Sequence, residues 1–90
     1  MESKNHYFYV LMCADNTFYA GYTTDVARRE LEHNTSDKGA KYTKTRRPVK
    51  VIHVESFPTR SMATKQEAMF KKLSKKEKEA YIKHAHSKEF

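Results

Sequence analysis

The sequence is poor in the residues that mark secreted and membrane proteins. Its 90 residues include one cysteine, Cys13, which excludes an internal disulfide and a cysteine-based zinc site. No stretch approaches the ~20 apolar residues that a membrane-spanning helix needs. Met1 to His6 carry no apolar signal region. We therefore expect a cytoplasmic protein that does not enter a membrane.

Length and charge narrow the class of protein further. Ninety residues suffice for one domain, which we place at residues 6–84, with flexible ends at 1–5 and 85–90. Lysine and arginine number 18 against 11 acidic residues, so the chain is strongly basic. This excess indicates a polyanionic partner, nucleic acid before membrane. The alternative is a basic surface that serves only solubility.

Two apolar runs near the start predict a β-hairpin. His6 to Cys13 and Thr17 to Thr23 are rich in aromatic and branched residues, which is typical of strands. Ala14, Asp15 and Asn16 between them are suited to a turn.

The register of this hairpin decides which side chains share a face. A turn with an odd number of residues pairs Leu11 with Tyr19 and Tyr9 with Gly21, whereas a two-residue turn would separate the two tyrosines. The odd turn is preferred because it yields one clean apolar face. That face would carry Phe8, Val10, Met12, Phe18 and Ala20, and the opposite face Tyr7, Tyr9 and Tyr19.

The rest of the chain predicts further elements around this hairpin. We expect a helix over 24–34 capped by Thr23 or Thr24, a basic loop over 35–47 with Gly39 as a flexible point, and a strand over 49–56. Two helices follow, one ending near 73 with Met62, Ala63, Met69, Phe70 and Leu73 as its core stripe, and one over 74–84. The order β-β-α-β-α-α predicts an α+β domain, with a small, mainly antiparallel three-stranded sheet flanked by three helices.

A set of polar and aromatic residues at fixed spacing resembles the GIY-YIG nuclease family. Tyr7–Tyr9 stands where that family has Gly-Ile-Tyr, and Tyr19–Gly21 where it has Tyr-Ile-Gly. Arg29, His33 and Glu67 stand at the positions of the family's helix arginine, its histidine or tyrosine, and its glutamate. The resemblance is closest to the small, stand-alone, single-domain bacterial branch, the YazA-like proteins. The chain departs from the pattern by having no asparagine after Asn34.

The resemblance implies a Mg²⁺-dependent nuclease, with Mn²⁺ as a substitute, that hydrolyses DNA in repair or recombination. In it, Arg29 would contact the phosphate and Glu67 would hold the metal. Tyr9 would accept the proton of the attacking water if its pKa falls well below the ordinary ~10. Tyr19 would orient water or phosphate by a hydrogen bond, and His33 would relay a proton or bind phosphate.

Other basic residues would form a track for the substrate, namely Lys38, Lys41, Tyr42, Lys44, Arg46 and Arg47. Because no DNA-binding domain is appended, a protein partner for targeting is also implied.

Each assignment has a structural alternative. In that alternative, Tyr9 and Tyr19 are packing residues, and His33 is a helix-end residue that the helix dipole favours. Arg29 would pair with a nearby acid, and Glu67 with Lys71. Two other functions therefore stay open, a nucleic-acid-binding module without catalysis and a module whose basic face binds a protein.

Overall fold

The computed structural model describes residues 5–36 and 38–87, and it has seven elements in chain order. The predicted α+β class and the three-stranded antiparallel sheet are confirmed, with four helices rather than three, because a short helix lies inside the expected loop. The elements are β1 (His6–Met12), β2 (Phe18–Thr23), α1 (Val26–Thr35), α2 (Lys41–Lys44), β3 (Lys50–Phe57), α3 (Arg60–Lys71) and α4 (Lys75–Ser87).

The hairpin has the predicted register. Leu11 lies opposite Tyr19 and Tyr9 lies opposite Gly21. The five residues between the strands form an odd-length turn, in which Asn16 takes the left-handed conformation (φ 66°) that asparagine tolerates well. The strand order is β2-β1-β3, so β1 is central and presents its side chains to helices on both sides.

A bulge in β3 changes the faces expected for that strand. The pairing shifts between Val10 and Leu11, so that Val10 lies opposite His53 and Leu11 opposite Val51. Ile52 is the extra residue, and Ile52 and His53 both pack toward Phe8. Simple alternation along the strand would place His53 on the side of Val51, and the bulge changes this because an extra residue reverses the alternation beyond it.

The two faces of the sheet carry two separate buried clusters. We call the first the Phe8 face, formed by Phe8, Val10, Ala20 and Phe70. The second is the Tyr9 face, formed by Tyr9, Leu11, Cys13 and Val49.

Side chains cap helices α1 and α3 at their first turns. Asp25 accepts a hydrogen bond from the Arg28 amide and caps α1, so the expected cap at Thr23 or Thr24 is wrong by one residue or two. Thr59 caps α3 by accepting a hydrogen bond from the Met62 amide.

The structure corrects the core stripe expected in α3 and gives a reason for Gly39 in the loop. In α3, Met62 and Met69 are about half and more than a third exposed, so only Ala63 and Phe70 are buried in the expected core stripe. Gly39, expected as a flexible point, is required for space, because a Cβ there would lie 2.8 Å from the His33 Cα and 2.9 Å from the Glu32 carbonyl oxygen. The loop passes against the backbone of α1 at that position.

The last helix reaches farther toward the C-terminus than expected. Helix α4 continues through Ser87, three residues beyond the expected end at His84. Of the end segments predicted to be flexible, residues 1–4 and 88–90 lie outside the described residues. Within the described chain, every helix is too short or too polar to cross a bilayer.

Candidate active site

Tyr9 lies at the centre of the site because it stands on the central strand and faces α1. Its side chain is 2% exposed. Across the hairpin, Gly21 makes room for it, since a Cβ at Gly21 would lie 2.4 Å from the Tyr9 hydroxyl oxygen. The backbone at Gly21 is ordinary, so the glycine is needed for space and not for conformation.

A chain of buried hydrogen bonds runs from Tyr9 to the α2 segment. The Tyr9 hydroxyl lies 2.9 Å from His33 Nε2. On the other side of the ring, His33 Nδ1 lies 2.9 Å from the Thr43 hydroxyl and 3.3 Å from the Ala40 amide. His33 and Thr43 are both fully buried. The His33 ring therefore lies between the Tyr9 hydroxyl and the Thr43 hydroxyl, with one ring nitrogen facing each.

The electrostatics identify which charges surround Tyr9. Burial raises the pKa of the Tyr9 hydroxyl to about 12, because the phenolate is poorly solvated there. A hydrogen bond from Arg29 and its positive charge oppose this rise, whereas Tyr19 and Glu67 add to it. Arg29, Tyr19 and Glu67 therefore all influence the pKa of the Tyr9 hydroxyl, which is hydrogen-bonded to His33. In the protein alone, Tyr9 carries its proton at neutral pH, and the pKa well below 10 required of a general base is not present.

His33 is neutral at physiological pH. Its pKa is lowered to about 4, first by burial and then by the positive charge of Arg29. A neutral imidazole donates from one ring nitrogen and accepts at the other. Its effect on Tyr9 is therefore that of a dipole and a hydrogen-bond partner.

Arg29 connects the site to the loop that follows α1. Its Nη1 donates to the Glu32 carboxylate at 3.0 Å and to the Lys38 carbonyl at 2.8 Å. The side chain is 27% exposed, so the guanidinium has both fixed partners and access to solvent. The expected pairing of Arg29 with an acid is present together with its hydrogen bond to Tyr9. A held guanidinium that reaches solvent is suited to phosphate recognition.

Glu67 approaches the site from α3. Its carboxylate is 19% exposed and pairs with Lys71 Nζ at 2.8 Å. Lys71 Nζ also lies 5.9 Å from the centre of the Tyr19 ring, which places this pair beside the tyrosines. Among residues 5–36 and 38–87, no three acidic, histidine or cysteine side chains form a group that could hold a metal ion. Mg²⁺ keeps several waters and takes one or two protein carboxylates. A single carboxylate such as that of Glu67 is therefore enough for this mode of binding.

Tyr19 joins the site to the basic segment. Its ring contacts His33 edge to face, with centroids 5.2 Å apart, and stacks near Tyr42 at 5.9 Å. Tyr42 in turn lies under the Arg46 guanidinium, 3.9 Å from its ring centre. Arg46 Nε pairs with Asp15 at 3.0 Å. Aromatic and cationic groups therefore extend from Tyr19 toward the hairpin turn.

The other residues of the expected track divide into two groups. Lys38, Lys41 and Lys44 are exposed, as a phosphate track requires. Arg47 instead donates to the carbonyl oxygens of His33 (2.6 Å) and Ser36 (2.8 Å) at the end of α1. Two donors of Arg47 are therefore directed at a helix end that lacks partners of its own, and its phosphate contact stays a prediction.

Thr43 and Ala40 are the residues of this site that sequence reasoning missed. They fall in a segment without apolar periodicity, and Ala40 contributes through its backbone amide alone. The one signal in the sequence is Thr43 itself, a small polar residue in a lysine-rich segment. Its burial is seen only in the structure.

Comparison with known proteins agrees with this geometry. Residues 5–88 match the GIY-YIG catalytic domain. A UPF0213 protein of Listeria monocytogenes is 65% identical over 81 residues, covering 90% of each chain. The UPF0213 protein YazA of Bacillus subtilis is 56% identical, over 91% of this chain and 82% of its own. A solution NMR structure of an Enterococcus faecalis protein is 60% identical, with a TM-score of 0.64, over 96% of this chain and 92% of that one. The chain therefore belongs to the GIY-YIG family of nuclease domains, among its small single-domain UPF0213 members.

Proposed function

We propose that this protein is a divalent-metal-dependent nuclease that hydrolyses phosphodiester bonds, with DNA as the first substrate class and repair or recombination as its setting. The observation that supports this most is the buried Tyr9 hydroxyl, which lies 2.9 Å from His33 Nε2, with Tyr19 packed edge to face on the same imidazole and the charges of Arg29 and Glu67 acting on the hydroxyl. Packing alone does not require an arginine, a glutamate and two tyrosines at one place.

The roles follow from the positions of these side chains. Arg29 binds the phosphate with the guanidinium donors that Glu32 and Lys38 do not use. Tyr9 would accept the proton of the attacking water only as the phenolate, after losing its own proton, and Tyr19 would orient water or phosphate. Glu67 would hold Mg²⁺ or Mn²⁺ once Lys71 moves aside. Bound there, the cation supplies positive charge that offsets the phosphate and favours the Tyr9 phenolate.

Substrate reaches this centre along the exposed basic segment. We propose that Lys38, Lys41, Lys44 and Arg46 contact phosphates, and that Tyr42 lies next to a base or ribose. For Arg47 such a contact stays a prediction, since two of its donors serve the end of α1. A protein partner that selects the site of cleavage fits a domain this small.

A second function is favoured by a specific observation. Glu67 is already neutralised by Lys71, and burial keeps Tyr9 protonated. Both features are those of a domain that binds nucleic acid without cutting it. The basic segment would serve such a module equally well.

Cleavage assays separate the two functions. Single-stranded, duplex and branched DNA and RNA are incubated with Mg²⁺ or Mn²⁺ and the wild type, Arg29→Ala, Glu67→Gln or Tyr9→Phe. We expect each change to slow cleavage by about a hundredfold or more, since each removes a group that faces developing charge. The matched control is Arg28→Ala, whose exposed side chain neighbours Arg29. Salt-dependent binding with no cleavage by the wild type would support the binding module, and cleavage unaffected by Arg29→Ala and Glu67→Gln would refute this site.

A further inference from the structure

His33 can carry its proton on either ring nitrogen, and the two forms present opposite groups to Tyr9. With the proton on Nε2, His33 donates to the Tyr9 oxygen. With the proton on Nδ1, Nε2 accepts the Tyr9 proton instead. The choice between them decides whether His33 acts on Tyr9 as a donor or as an acceptor.

The surroundings of Nδ1 favour one of these forms. The Ala40 amide is directed at Nδ1 from 3.3 Å, and a backbone N–H can neither rotate nor lose its proton. A proton on Nδ1 would face this N–H and leave it without that acceptor. An unprotonated Nδ1 accepts from it.

The direction of the Thr43 hydrogen bond has to be consistent with an unprotonated Nδ1. Its single proton can go to the Ala40 carbonyl oxygen at 2.8 Å or to His33 Nδ1 at 2.9 Å. If Nδ1 is unprotonated and the hydroxyl donates to the carbonyl, two lone pairs would face each other at 2.9 Å. The Ala40 carbonyl already accepts from the Thr43 amide at 3.1 Å and from the Lys44 amide at 3.3 Å, so it does not depend on the hydroxyl.

We propose that Thr43, together with the Ala40 amide, is a positioning residue that holds His33 with its proton on Nε2, so that His33 donates to the Tyr9 oxygen. The Tyr9 oxygen then receives a hydrogen bond from His33, and the positive charge of Arg29 also acts on it. Both stabilise the phenolate relative to the phenol. This arrangement makes His33 a fixed donor to Tyr9 and not a base.

This inference concerns the reaction proposed above, and it rests on that function only for its catalytic consequence. The tautomer itself is a property of the free protein, and nitrogen NMR of the imidazole ring reads it directly. Long-range proton–nitrogen correlations at pH 7 distinguish a protonated from an unprotonated ring nitrogen. We expect Nε2 to be protonated and Nδ1 to be unprotonated at His33 in the wild type; the reverse would overturn the proposal.

Two variants test the part played by Thr43. Thr43→Ser keeps the hydroxyl and should retain the wild-type ring spectrum. Thr43→Val keeps the shape and lacks the donor, so the Nδ1-protonated form should increase at the expense of the Nε2-protonated form. A Thr43→Val spectrum identical to that of the wild type would assign the tautomer to Ala40 alone and overturn the role of Thr43. If Thr43→Val does not fold, coupling between the Thr43 hydroxyl proton and Nδ1 in the wild type decides the same point.

Cleavage assays add the catalytic consequence. Thr43→Val should cut about tenfold more slowly at unchanged substrate binding, which corresponds to one weakened hydrogen bond in the transition state. Thr43→Ser should restore most of the rate. A wild type that never cleaves would refute the proposed nuclease and leave the tautomer result intact, whereas cleavage with an Nδ1-protonated His33 would refute this inference alone.

Discussion

The two faces of the sheet are both buried, yet they are built from different interactions. The Phe8 face packs Phe8, Val10 and Ala20 against Phe70 of α3, through contacts that have little directional preference. The Tyr9 face buries His33 and Thr43 among its apolar residues, and these have to be paired at fixed distances. The first face should therefore determine stability, and the second should determine the geometry of the site.

Removing the largest side chain that α3 contributes to the Phe8 face should give the largest loss of stability. Phe70→Ala should reduce the free energy of unfolding by roughly 3–5 kcal/mol, because Phe70 is fully buried and leaves a cavity. Urea denaturation measures this. The neighbouring Met69→Ala is the control, and it should have a much smaller effect because Met69 is 38% exposed. Equal losses at both positions would contradict the assignment of the core to this face.

Lowering the pH should destabilise the protein, because His33 on the Tyr9 face binds a proton less readily in the folded state than in the unfolded state. In the unfolded chain His33 titrates near pH 6.5, whereas in the folded protein its pKa is about 4. Above pH 6.5 both states are neutral and the full stability is present. As the pH falls toward 4, the unfolded state binds a proton that the folded state does not, and about 3 kcal/mol of stability is lost.

The measurement is the free energy of unfolding at several pH values between 7 and 4. His33→Gln removes the titrating ring and should show a flatter dependence than the wild type over that range. Parallel curves for the two proteins would mean that the loss comes from other groups.

Crowding the Tyr9 ring should have an intermediate effect and should act on both stability and geometry. In Gly21→Ala the new methyl group would lie 2.4 Å from the Tyr9 hydroxyl oxygen, so the ring has to shift away from His33. We expect a loss of roughly 1–3 kcal/mol, as for other overpacked cores. Thermal denaturation measures the loss, and the ring nitrogen resonances of His33 should report the broken contact with Tyr9.

A double-mutant cycle isolates the steric cause. In a Tyr9→Ala background the ring is absent, so adding Gly21→Ala should have little further effect. If Gly21→Ala is as harmful there as in the wild type, the glycine is required for another reason.

Changes on the exposed basic segment should leave stability nearly unchanged and alter only binding. Lys41→Ala should shift the free energy of unfolding by less than about 0.5 kcal/mol. It should reduce the salt dependence of DNA binding by about 0.9 in the log–log slope, as expected for one phosphate contact. Lys76→Ala, at an exposed position on α4, is the matched control. Equal slopes for the two variants would place the track elsewhere.

Sequence patterns predicted the parts of the fold that depend on local alternation. The hairpin register followed from the turn length and from the apolar set of Phe8, Val10 and Ala20, and the register brought Tyr9 beside Gly21. The family resemblance supplied the positions of Arg29, His33 and Glu67. The structure then showed the hydrogen bond between His33 and Tyr9 and the influence of the Arg29 and Glu67 charges on that hydroxyl.

The features that were not predicted depend on contacts between distant segments. The bulge at Ile52 arises where β3 fits against β1, and nothing in the alternation of its residues marks it. The short helix α2 has no apolar periodicity, and Arg47 acts on a helix end 11 and 14 residues earlier in the chain. Such hydrogen bonds are decided by the assembled backbone, because composition does not specify which carbonyl groups lack partners.

The close approach of Tyr9 to Gly21 has a consequence for the evolution of related chains. Since the glycine is required only by the ring that lies against it, the two positions should change together. Relatives that keep the tyrosine should keep the glycine, and a chain that replaces the tyrosine with a small residue is released to carry alanine or serine in its place. Paired loss of the two would mark a domain that has kept the fold and given up the chemistry.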